Sequence, residues 1–127
     1  MLSCGDTFYA SDDEDVEPHL FVIITPPHEG DVITVSVTTR RQKSEALVIL
    51  KVGDHPFIKW ESVVSYRHAQ IRKLKQLEAA IDSGLAAKRE PISGSLLRRI
   101  RMGLMESEFT EYGVLHFYLD LKISDDE

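Results

Sequence analysis

The sequence predicts an α+β domain in which a small, curved, antiparallel β-barrel takes up the first half of the chain and two or three helices the second. Three observations predict it. Short β-branched and aromatic runs, Phe21 to Ile24, Val32 to Thr39 and Ala46 to Leu50, succeed one another across compact turns. From Ile71 onward the apolar period changes to three and four residues, the spacing of one helix face. The 127 residues are enough for one core and few for two, so 1–127 reads as a single domain.

Taken in order, Gly5-Asp6-Thr7-Phe8-Tyr9 is a turn opening a first short strand. An acidic loop, 11–17, follows. Phe21 to Ile24 and Val32 to Thr39 form a hairpin, because Pro26-Pro27 cannot continue a ladder and Gly30-Asp31 tolerates positive φ. Arg40 to Ser44 is a polar connection to a buried strand, Ala46 to Leu50, and Val52 to Pro56 is a turn. Ile58 to Tyr66 alternates as a fifth strand. Ile71, Leu74, Leu77 and Ile81 mark a helix capped by Gly84, and a second helix starts at Ser93 or Ser95 with Leu96, Leu97, Ile100 and Leu104 on its apolar face. Tyr112 to Ile123 reads as a last strand or an arm, ahead of the acidic tail 124–127.

The formal net charge is -6, at face value a poor match to nucleic acid. Its distribution changes that reading. Asp12, Asp13, Glu14, Asp15, Glu17, Asp125, Asp126 and Glu127 form two blocks; without these 8, 13 acidic residues face 15 Lys and Arg, leaving a body of +2. The single Cys4 excludes an internal disulfide and a cysteine-based zinc site, which makes the cytoplasm the expected compartment. No apolar run is long enough to span a bilayer, and no cofactor fingerprint or metal-ligand spacing is present, so neither a membrane partner nor a cofactor or metal is expected.

The order of pieces resembles the PemK/MazF/Kid family of toxins. The resemblance rests on Gly5-Asp6 before the first strand, Phe21 to Ile24 followed by Thr25-Pro26, Val32 to Val37 ending in Thr38-Thr39, and the later Ser62-Val63-Val64. It spans roughly residues 5 to 105. It implies an SH3-like barrel and a metal-independent endoribonuclease of a toxin-antitoxin module, cutting single-stranded RNA by attack of the 2′-hydroxyl on the adjacent phosphate. A homodimer and a protein antitoxin are implied with it. One departure matters: the family's Arg-Pro before the second strand is here His19-Leu20. Either Arg40 or Arg41 replaces the phosphate-clamping guanidinium, with His19 as acid or base, or the barrel no longer cuts RNA.

On this reading His19, Thr38, Thr39 and Arg40 are the catalytic candidates, and Arg41, Tyr66, Arg67 and His68 the RNA-binding ones. Tyr66 and His68, two residues apart on a strand, are expected to share a face suited to stacking and phosphate contact. His55 could be oriented by Asp54, and Trp60 is expected in the core or an interface. Arg98, Arg99 and Arg101, with Lys88 and Arg89, form a basic region of solvated character. His28 and His116 have no evident partner. The other function class is a non-catalytic SH3-like interaction module that kept the barrel and lost the cutting residues.

Overall fold

The computed structural model describes residues 1–11 and 17–123. Most of the acidic loop, 12–16, and the tail, 124–127, lie outside them. Six strands, β1 (Thr7–Ala10), β2 (His19–Ile23), β3 (Asp31–Thr39), β4 (Ile49–Leu50), β5 (Ser62–Lys73) and β6 (Ala86–Arg89), form one sheet in the order β4-β5-β3-β2-β1-β6. Every pairing is antiparallel. The sheet curls into a half-barrel, and three helices follow in the C-terminal half: α1 (Leu74–Asp82), α2 (Gly94–Glu106) and α3 (Tyr112–Leu121). The α+β class read from the sequence is the class observed.

The β2–β3 hairpin turns at Glu29-Gly30, both at positive φ, between the mutually bonded His28 and Asp31. Two consecutive positive-φ residues make the tight turn whose twist matches that of the strands. Leu20, Val22, Ile33, Val35 and Val37 then face α2 and α3, with Ile100 and Leu104 among the helical residues of that core. A smaller core on the other face joins Phe8, Phe21, Ile23 and Val32 to Leu77 of α1.

Helix α2 begins as expected. Ser93 Oγ accepts from the Leu96 amide, and Leu96, Leu97, Ile100 and Leu104 are buried. Arg101 is buried too, against the expectation of a solvated face: its Nε donates to the Ile24 carbonyl at 2.7 Å and a terminal nitrogen to Cys4 Sγ at 3.0 Å. Gly84, at positive φ, closes α1 by donating to the Ile81 carbonyl.

Four elements differ from expectation. Ala46 to Leu50 contributes only Ile49 and Leu50 as a strand; ahead of them only the Val48 carbonyl reaches β5, accepting from the Val64 amide, while the end at Leu50 is as expected, before a turn closed by Asp54 on the Lys51 amide. β5 starts later than Ile58 and runs through Ile71 to Lys73, since pairing with β3 as far as Asp31 overrides the helical spacing there. Residues 86–89, read as part of no element, pair with β1. Tyr112 to Leu121 is a helix rather than a strand or arm, with Val114 and Tyr118 four residues apart on its buried face.

The β3–β5 ladder carries one large irregularity. Thr34 pairs with Gln70 and Ser36 with Ser65, so four residues of β5 stand opposite Val35 alone. Alternation fails across this bulge. Tyr66 turns into the core, where its hydroxyl donates to the Ile100 carbonyl at 2.8 Å, while Arg67 and His68 are both exposed. Gly103 permits the approach, since a Cβ there would overlap the Tyr66 ring.

Candidate functional site

The segment after β4 wraps the ends of the central strands, and a buried histidine fixes its course. His55 Nδ1 accepts from the Phe57 amide at 3.0 Å, which leaves Nε2 to donate to the Glu90 carbonyl at 2.6 Å. Thr7 Oγ1 lies 3.3 Å from that nitrogen and itself donates to Glu90 O at 2.7 Å. β1, the 55–60 segment and the exit of β6 are thereby tied together. Asp54 takes no part in orienting His55; its carboxylate accepts from the Lys51 amide. His55 is structural.

Past this anchor Phe57 packs on Tyr9 with ring centroids 4.9 Å apart, Ile58 enters the core, and the Ser62 hydroxyl donates to the Trp60 carbonyl. Trp60 stands outside, 71 % exposed, so of the two expected places, core or interface, the core is ruled out. A cleft of about 390 Å³ lies between this segment and the strand ends. Tyr9, Val37, Phe57 and Ile58 give it apolar walls; His19, Thr38, Thr39 and Ser62 bring polar groups. Arg41, Lys59 and Arg89 supply three cations against one carboxylate, Glu17, and none of the three forms an ion pair among the described residues. Pro18, Pro56 and Trp60 complete the lining.

Four sequence candidates, His19, Thr38, Thr39 and Arg41, thus border one cleft. Arg40 does not; its guanidinium is engaged by Glu61, the residue just before β5. Tyr66 is 1 % exposed and cannot present its ring to a base. Arg67 and His68 line a second, smaller cavity of about 200 Å³. Lys59 escaped the sequence reading, and Arg89 entered it only as part of a solvated basic region. Lys59 follows the Gly-Asp-His-Pro turn, a signal that was available, whereas Arg89 depends on a strand with almost no local signature.

No protein-family model matches this chain, and no curated protein does.

Elsewhere, His116 Nδ1 lies 3.3 Å from Asp120, and the His28 ring meets Phe117 edge-on. The Cys4 thiol is half-buried; burial pushes its pKa up, against the lowering effect of Arg101, which suits packing better than nucleophilic chemistry. Among the described residues no helix is long and apolar enough to cross a membrane.

Proposed function

We propose that the cleft binds single-stranded RNA and that the protein is a toxin-like, metal-independent endoribonuclease. The observation that carries this reading is the convergence of Arg41, Lys59 and Arg89, unpaired among the described residues, beside an exposed Trp60. Cations that need not be freed from carboxylates suit a phosphate chain, and an open aromatic face suits a base of any identity. In the reaction, the 2′-oxygen attacks phosphorus, the bond to the 5′-oxygen breaks, and a cyclic phosphate and a 5′-hydroxyl result. One proton leaves the 2′-hydroxyl and one reaches the 5′-oxygen. Glu17 and His19, both bordering the cleft, are the groups fitted to take and give them, with Thr38 and Thr39 as hydroxyl donors to the phosphate oxygens. The relocated guanidinium is Arg41 in this reading, since Glu61 holds Arg40. Resemblance to the PemK/MazF/Kid toxins adds a homodimer, a protein antitoxin and a cytoplasmic setting to the proposal.

A second reading has its own observation. Tyr9, Phe57 and Trp60 beside Pro18 and Pro56 make an aromatic-lined groove, the kind of surface on which extended proline-rich peptides dock. It would make the protein a non-catalytic interaction module. The three cations favour RNA. The deciding experiment incubates the folded protein with mixed-sequence single-stranded RNA in EDTA. Cleavage leaving cyclic phosphate ends, reduced by about 10² to 10⁴ in His19→Ala, is the expected result. Intact RNA, with no binding at low salt, overturns the nuclease and leaves the peptide groove to be tested.

A further inference from the structure

Thr38 borders both the second cavity and the first. The turn after β3 serves both as well. It is closed by the Arg41 amide on Ser44 Oγ at 2.8 Å and the Ser44 amide on the Arg41 carbonyl at 3.1 Å, and it sends Arg41 to the cleft and Lys43 and Ser44 to the second cavity. Opposite that turn, the β5 bulge exposes Arg67 and His68 side by side, a pair that regular alternation would have split between faces. Both side chains are held in place. The Arg67 guanidinium carbon lies 4.2 Å from the centre of the Phe109 ring, and His68 Nδ1 is 2.7 Å from Ser65 Oγ. The carboxylate bordering this cavity, Glu45, accepts the Ser107 hydroxyl at 2.8 Å, and neither Lys43 nor Arg67 has an ion pair among the described residues.

We infer that an RNA strand held in the cleft continues past Thr38 into a second subsite formed by Lys43, Arg67 and His68, so the ligand is an oligonucleotide and not a single nucleotide. This rests on the reading that the cleft binds RNA. A volume of 390 Å³ is near the lower end for ligand pockets and has room for only a nucleotide or two. The next phosphates must lie elsewhere. A guanidinium held over an aromatic ring is pre-oriented and keeps N–H groups for phosphate oxygens. Lys43 adds a second charge to the lining of the same cavity.

The test compares a 2′-O-methyl dinucleotide with a 2′-O-methyl hexanucleotide, neither of which can be cut, on wild type, Lys43→Ala/Arg67→Ala and the single Lys43→Glu, whose altered residue is exposed on a turn. Expected is a loss of tenfold or more, as an order-of-magnitude figure, in hexanucleotide affinity for the double variant. Its plot of log K against log salt should flatten by about 1.4, two contacts at roughly 0.7 each for a single strand. Dinucleotide binding should be unchanged, and Lys43→Glu should move hexanucleotide binding in the same direction. Unaltered hexanucleotide affinity and slope in both variants overturn the second subsite and leave the cleft standing. Equal losses for both lengths overturn it as well. A wild type that binds neither oligonucleotide overturns this inference together with the RNA reading.

Discussion

Tyr66 shows how one side chain can link stability to pH. Burial above all, and then the charges of Glu45 and Glu106, push its phenol well above the usual tyrosine value. The unfolded chain therefore loses this proton first. Stability from the neutral phenol is complete below about pH 10, the ordinary tyrosine value, and falls as pH rises beyond it. Tyr66→Phe should cost about 1 kcal/mol at neutral pH, through the lost bond to Ile100, yet lose stability less steeply than wild type above pH 10. Urea melts on either side of that pH check it; parallel losses in the two proteins would refute it. Tyr66 is also where the sequence misleads most. Two-residue spacing sets it beside His68 as a stacking surface, and no local property announces four residues of β5 standing opposite one of β3. His19, Thr38, Thr39 and Arg41, singled out by resemblance, come together because the β2–β3 register, Leu20 opposite Val37, sets the start of one strand beside the end of the other. For Trp60 the core half of the expectation failed, since a large ring is usually buried and no local property announces that this one stands outside the fold.

Among the elements, α2 carries the clearest local logic. Ser93 caps it through Leu96, while Ser95 only shares a hydroxyl contact with Ser93. Ser93→Ala should therefore destabilise the protein by about 1 kcal/mol and Ser95→Ala by far less, as read from paired thermal melts. Equal effects would show that the cap contributes nothing of its own. That helix was readable from its serine and its spacing. α3 was not, because Tyr-Gly-Val-Leu-His-Phe-Tyr-Leu is apolar nearly all round and rich in strand-favouring types; short apolar runs of this kind do not disclose their period. β6 failed in the reverse sense. Ala-Ala-Lys-Arg has poor strand character, and only the open edge of β1 makes it one.

At the scale of the whole molecule the two faces of the sheet are unequal. Most of the buried apolar side chains lie on the α2/α3 face, whereas α1 buries Leu77 alone. Opening of α1 and β6 should accordingly be cheaper than opening of β3. Native-state hydrogen exchange should find their slowest amides exchanging at least about tenfold faster than those of Val32 to Val37. Uniform exchange across all three would make the sheet and both cores a single cooperative unit. The α+β class was legible because strand-like runs and helical periods occupy separate halves of the chain. Charge was harder to read: a total of -6 gives no sign that Arg41, Lys59 and Arg89, far apart in sequence, gather on one cleft.

The pairing of β1 with β6 sets Thr7 opposite Arg89 and so spans most of the chain. Long closures cost entropy before they return any contact, which makes such ladders late events in folding. Arg89 and the Glu90 carbonyl that holds His55 both belong to that closing segment. During synthesis, a ribosome that has not yet passed β6 carries the β2–β3 hairpin without a finished cleft. If the protein cuts RNA as proposed, the cutting surface comes into being only once β6 has been made and has closed on β1.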